Sequence, residues 1–254
     1  MNLPLILITN DDGYASKGIN SLLNAVKEIG EILFIAPDRP QSGMGHAITV
    51  NNPVRCKKTN YFDGVNAYTC TGTPVDCVKM GIHLLKGRKP DVILSGINHG
   101  SNVSTNILYS GTMAAAVEGA MEGIPSVGFS LTDFSEDADF SYAEKVVAFI
   151  TKKILKNGLK KGTCLNVNIP NVLENDIKGI KICKQGNAFW EDSFENRKDP
   201  MGKDYYWLTG TFNSKETDTE TDIHNLNNNY VTVVPCQYDM TCHTSLNELK
   251  NWIS

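Results

Sequence analysis

Three apolar runs early in the chain each end in a polar, glycine-bearing loop. Ile6-Leu7-Ile8-Thr9 precedes Asn10-Asp11-Asp12-Gly13, and Ile32-Leu33-Phe34-Ile35-Ala36 precedes Pro37-Asp38-Arg39-Pro40-Gln41-Ser42-Gly43. Val92-Ile93-Leu94 runs into Ser95-Gly96-Ile97-Asn98-His99-Gly100-Ser101-Asn102 in the same way. Short continuous apolar runs of this kind are the signature of strands buried on both faces. Helical spacing lies between them: Ile19, Leu22, Leu23, Val26 and Ile29 follow the first loop, and residues 76–85 form a second helix opened by Pro74. Strand alternating with helix predicts an α/β fold with a mostly parallel sheet flanked by helices. In such a sheet the strand ends collect on one edge, where open α/β sheets bind their ligands.

That edge would gather an unusual set of oxygens. Asp11 and Asp12 are adjacent, and like charges disfavour each other's ionised form unless a cation lies between them. The competing reading is a plain polar turn closing a strand, a common use of Asn, Asp and Gly. With Ser42 and Asn98 from the other two strand ends the donors are all oxygen, two of them charged, which suits Mg²⁺ or Mn²⁺ better than zinc. Two carboxylates leave such a cation in need of an anion, and a phosphate group would supply it.

A place for that phosphate can also be read. Tyr109-Ser110-Gly111-Thr112 opens the alanine-rich helix Met113-Ala114-Ala115-Ala116-Val117-Glu118. Helix N-termini present free N–H groups and partial positive charge to anions. Ser110 or Thr112 equally suits an ordinary N-cap.

Taken together, Thr9-Asn10-Asp11-Asp12-Gly13-Tyr14, Ala36-Pro37-Asp38-Arg39 with Ser42-Gly43, Thr73-Pro74-Val75-Asp76-Cys77-Val78, Ser95-Gly96-Ile97-Asn98-His99-Gly100-Ser101-Asn102, Tyr109-Ser110-Gly111-Thr112 and Leu165-Asn166-Val167-Asn168 closely resemble the SurE (survival protein E) nucleotidases. The segments occur in the family's order and span most of the chain, ending with Thr221-Asp222 before Tyr230-Val231-Thr232-Val233-Val234-Pro235. The resemblance implies a Rossmann-like α/β sheet with a β-rich oligomerisation extension in the C-terminal half. It implies one divalent metal per subunit, Mg²⁺ or Mn²⁺, on Asp11, Asp12, Ser42 and Asn98. It also implies hydrolysis of nucleoside 5′- and 3′-monophosphates, shortening of polyphosphate in some members, and a homodimer or homotetramer. Two departures are local: Met113-Ala114 stands where relatives often have Val-Gly, and Val75 where Ala is common. Neither touches a proposed ligand.

Composition agrees. A chain of 254 residues with 41% hydrophobic content can bury one sizeable core. We therefore read residues 1–254 as one SurE-like domain with an oligomerising arm at about 180–215. A formal net charge of −4 argues against an electrostatic grip on polymeric nucleic acid. No apolar run reaches membrane-spanning length, and the chain enters its first strand without a basic leader, so a cytoplasmic location is the default expectation and no membrane partner is expected. The seven cysteines, Cys56, Cys70, Cys77, Cys164, Cys183, Cys236 and Cys242, form no Cys-x-x-Cys pair and read as reduced thiols, several of them in apolar runs.

Later in the chain residues 124–130 read as a strand and 142–155 as an amphipathic helix. Residues 179–183, 204–210 and 230–234 read as strands separated by long polar segments. Residues 187–200 mix exposed charge with aromatics, as an arm packing on a second subunit would. The acidic stretch 216–222 reads as a solvated connection, with Asp222 opening a short helix. Of the histidines, His46 and His99 lie close in sequence to proposed ligands, whereas His83, His224 and His243 read as structural or solvated.

The chemistry this pattern predicts is metal-assisted phosphomonoester hydrolysis. Asp11 and Asp12 anchor the cation and one of them takes a proton from the attacking water, while Asn98, Asn102, Ser110, Gly111 and Thr112 meet the substrate's phosphate. Aspartyl-nucleophile chemistry lacks its Asp-x-Asp spacing here. Dinucleotide binding lacks the third glycine after Gly43-x-Gly45. A metal- and nucleotide-binding protein without turnover would keep the same strand-end site and is the alternative from outside catalysis.

Overall fold

A computed structural model describes residues 3–215 and 217–253. Its centre is a nine-stranded sheet in the order β3-β4-β2-β1-β5-β6-β7-β11-β8. In chain order these are β1 (Leu5–Thr9), β2 (Glu31–Pro37), β3 (Cys56–Thr59), β4 (Asn66–Cys70), β5 (Val92–His99), β6 (Ser126–Leu131), β7 (Thr163–Ile169), β8 (Ile180–Ile182) and β11 (Val231–Gln237). From β4 through β7 every pairing is parallel, and only β3 on β4 and β11 on β7 run antiparallel.

Side-chain alternation in β1 explains why both faces are covered. Ile6 and Ile8 enter one apolar layer with α1 (Lys17–Val26) and α4 (Ser141–Asn157). Leu5 and Leu7 enter the opposite layer, which holds Cys77 and Val78 of α2 (Pro74–Leu84) and Ala115 of α3 (Gly111–Met121). Local signals set the helix starts. The Ser16 side chain caps α1, and Thr73 with Asp76 closes a capping box on α2 behind Pro74.

The strand order reverses direction at β1. The chain moves outward from β1 to β2 and β4, then returns to place β5, β6 and β7 on the other side. The carboxyl ends of β1 and β5 therefore bound the switch-point crevice where α/β sheets take ligands.

The expected early strands and helices are present with small shifts of boundary. Residues 187–200, read as an arm, are mostly strand. They form β9 (Ala188–Lys198), paired antiparallel along its whole length with β10 (Asp204–Ser214) in a separate two-stranded ribbon. Of the stretch 216–222, Glu216 lies outside the described residues, 217–220 form the expected solvent-facing connection, and only the last two residues differ from that reading. Thr221 and Asp222 are buried, and Asp222 opens α5 (Asp222–Asn227). A final short helix, α6 (Leu246–Lys250), lies near the C-terminus. No helix among the described residues is long and apolar enough to cross a membrane.

Candidate metal and phosphate site

β1 ends by turning sharply into α1. The buried Asn10 stabilises that turn, its Nδ2 donating to Gly13 O and to Ser16 Oγ at 2.9 Å each. The next residue, Asp11, is 4% exposed and lies under the N-terminus of α3. Thr112 Oγ1 donates to Asp11 Oδ1 at 2.5 Å. A Cβ at Gly111 would stand 2.7 Å from the Asp11 Cβ and 2.9 Å from its Oδ2, so only glycine lets the helix approach this closely. Asp12 is half-buried, and its Oδ2 accepts from the His99 N–H at 3.4 Å. The two carboxylates are thus held from β5 and α3 as well as from their own strand.

Electrostatics mark the pair as uncomfortable alone. Burial, followed by the neighbouring Asp12 charge, pushes the Asp11 carboxyl up to about 6 despite the Thr112 hydroxyl. Burial likewise raises Asp12, against a smaller opposing pull from the His99 N–H. Two carboxylates that disfavour ionisation are what a divalent cation would relieve.

Asn98 is the penultimate residue of β5, and Ser42 lies in the loop that follows β2. β5 carries a register shift against β6 between Ser95 and Asn98, a bulge that re-aims the strand end beside the site. Asn98 commits its Nδ2 to His99 O (3.2 Å) and Gly100 O (2.7 Å), leaving Oδ1 as the atom suited to a cation. Ser42 sits exposed in the 38–55 loop, one residue after Gln41, whose N–H donates to Asp11 O at 2.7 Å.

Of the expected phosphate donors, Ser110 is the N-cap of α3, its Oγ accepting from Met113 N at 3.0 Å. That leaves its hydroxyl proton to donate. Asn102 is buried in an amide network: its N–H donates to Asn168 Oδ1 (2.7 Å), its Nδ2 to Ser130 Oγ (2.8 Å), and its carbonyl accepts from Asn166 Nδ2 (2.7 Å).

His99 sets its ring edge-on to Phe140 at 5.0 Å and meets Asp12 through its backbone, and His46 pairs with Glu118 at 3.0 Å. Glu118 was not singled out by sequence reasoning. A lone glutamate in an alanine-rich helix carries no signal, and only the fold shows it 2% exposed.

The donor set fits a hard divalent cation. Among the described residues no three His, Cys, Asp or Glu side chains group to hold a metal, so any such site must complete itself with neutral oxygens. Ser42 and Asn98 supply those. Two further oxygens near this edge, Asn10 Oδ1 and Ser95 Oγ, are buried without a hydrogen-bond partner among the described residues.

A model of the family described as "Survival protein SurE" matches residues 6–192. This chain belongs to the SurE family. Among its relatives, the 5′-nucleotidase SurE of Cytophaga hutchinsonii is 52% identical over 254 residues, covering 99% of this chain and 98% of that one. The 5′-nucleotidase SurE of Christiangramia forsetii is 51% identical over 251 residues, covering 98% and 96% respectively. The crystal structure of the SurE protein from Aquifex aeolicus superposes with a TM-score of 0.85 at 40% identity, over 99% of this chain and 100% of that one. SurE membership accounts for the order of the sequence motifs along the sheet.

Proposed function

We propose that this chain, a 5′-nucleotidase of the SurE family, hydrolyses nucleoside 5′-monophosphates to nucleoside and phosphate at the β1–β5 crevice. The carrying observation is the buried Asp11 carboxylate beside Asp12, raised to about 6 and capped by the N-terminus of α3. Asp11, Asp12, Ser42 and Asn98 would hold one Mg²⁺ or Mn²⁺, which when bound supplies Lewis acidity and lowers the pKa of an attacking water.

The chain's own groups do the rest. Asp12, the more exposed of the two carboxylates, is placed to take the proton from water, while Thr112 fixes Asp11. Ser110 and the Gly111 N–H meet the phosphate at a helix terminus, where partial positive charge favours the anion. Asn102 completes this set if its Nδ2 leaves Ser130, and its network with Asn166 and Asn168 holds the loop after β5 in place. Nucleoside 3′-monophosphates and polyphosphate belong to the same proposal, since recognition centres on a terminal phosphate. The ribbon β9–β10 is proposed as the arm that pairs copies into a dimer or tetramer around an otherwise single domain.

The test is phosphate release from a panel of nucleoside 5′- and 3′-monophosphates and polyphosphate, with Mg²⁺, with Mn²⁺ and with chelator. Asp12→Asn should abolish metal-dependent release in a folded protein. Full activity in that variant would remove Asp12 from the site, and no release by metal-loaded wild type would favour the non-catalytic binding protein.

A further inference from the structure

The loop that carries Ser42 has little of its own to hold it. Residues 38–55 contain no helix or strand, and Met44 and Ile48 are 46% and 53% exposed. Gly43 and Gly45 take positive φ of 74° and 55°, so the backbone on either side of Met44 is of the kind that samples many conformations when untethered. Apolar burial therefore does not fix Ser42, and polar ties must.

Three ties bracket it. Gln41 N–H donates to Asp11 O, Gly45 N–H donates to Tyr109 O at 3.2 Å, and His46 Nε2 meets Glu118 Oε2 at 3.0 Å. Further along the loop Thr49 N–H and Oγ1 donate to the Asp76 carboxylate and Ala47 O accepts from Thr73 Oγ1, so among the ties nearest Ser42 the His46–Glu118 pair is the one made to a carboxylate. Glu118 lies on α3, 2% exposed, and its other carboxylate oxygen pairs with Lys79 of α2. The hydrogen bond from His46, helped by Lys79, holds the Glu118 carboxyl below the ordinary glutamate range against its burial. A buried carboxylate held by a lysine and by an imidazole N–H is a fixed point, and a hydrogen bond to a charged group is stronger than a neutral one. Glu118 shares its helix with Gly111 and Thr112, which grip Asp11, so one rigid element locates both sides of the metal set.

We propose that Glu118 is a positioning residue for the metal site, clamping the 38–55 loop through His46 so that Ser42 stands over Asp11 and Asp12. The inference rests on the metal reading above for its consequence, and on the hydrogen bonds alone for its cause.

The two are separable by experiment. In wild type the Gln41 and Gly45 amides should resist hydrogen exchange. In Glu118→Gln and in His46→Ala that protection should fall, while His46→Gln, which keeps an N–H donor, should retain most of it. Mn²⁺ binding followed by its electron paramagnetic resonance signal should weaken about tenfold in the two loosened variants, the size of effect expected from a lost hydrogen bond of about 1.4 kcal/mol. Activity at saturating Mn²⁺ should stay near that of wild type. Unchanged exchange in Glu118→Gln overturns the clamp. Faster exchange with unchanged Mn²⁺ affinity overturns its positioning role. Failure of the metal reading shows elsewhere, as Mn²⁺ affinity indifferent to Asp12→Asn.

Discussion

Asp11 shows the tension between function and stability at the scale of one side chain. Its carboxyl is raised to about 6 in the folded protein against an ordinary 3.8. A raised carboxyl favours folding only while protonated, so its contribution is present below pH 3.8 and is lost as pH rises through about 6. At pH 7.5 the metal-free protein therefore carries a buried charge that works against it. The shift of about 2 units corresponds to about 3 kcal/mol. Asp11→Asn should accordingly raise the Tm of chelator-treated protein at pH 7.5 by several degrees, with the gain vanishing near pH 4. Mn²⁺ should raise the Tm of wild type and leave the variant unmoved. A variant no more stable than wild type in chelator would mean that Asp11 is not strained in the folded protein. The residues of this site were visible in the sequence because adjacent aspartates after an apolar strand are an uncommon arrangement. How they are supported was not: Thr112 reads in the sequence as a phosphate donor, and its hydroxyl instead holds Asp11, 101 positions away, because the sheet order brings the two together.

At the scale of the element, α3 serves as cap, anion site and clamp at once. The sequence left two readings of Ser110 open, and the structure shows it as the N-cap without removing its hydroxyl proton from use. The two roles can be told apart. Ser110→Ala removes both, lowering stability by about 1 kcal/mol through the lost cap, or about 2–4 °C for a chain of this size. It should also lower kcat/KM by about 10²–10³-fold, since a lost anion donor typically costs about 3–4 kcal/mol. Ser110→Asp restores a capping oxygen with no proton to donate, so Tm should recover and kcat/KM should not. Recovery of both would make Ser110 a cap and nothing more. The helices and the strands β1, β2 and β5 of the first half were legible because their apolar runs were clean, whereas β3 and β4, half-exposed and polar in sequence, were not. β9 was not, because its ten residues after Ala188 are exposed on both faces and carry no alternation to read.

That ribbon poses the question at the scale of the whole molecule. An isolated two-stranded ribbon is marginal in water, yet β9 and β10 pair over eleven residues each. Its root is well anchored. Ala188 O accepts from Ser104 Oγ and Thr105 Oγ1, Trp190 Nε1 donates to Asn106 Oδ1, and the buried Asp222 gathers the N–H groups of Ser104, Gly186 and Ile223. Beyond the root it projects Phe194 (68% exposed), Tyr206 (60%), Trp207 (58%) and Leu208 (62%). Aromatics clustered on a projecting element are a liability in a monomer and an asset at an interface. The sequence suggested an arm here from its composition, and the structure gives this stretch the form of an exposed two-stranded ribbon. Light scattering on the eluting protein should therefore give a mass of two or four chains, and Tm should rise with concentration as association stabilises the fold. Phe194→Glu and Trp207→Glu should each shift the mass toward one chain and flatten that dependence, while the circular-dichroism spectrum stays that of a folded α/β protein. A wild type that elutes as one chain would leave the ribbon without a partner copy, and unchanged mass in both variants would move the interface elsewhere.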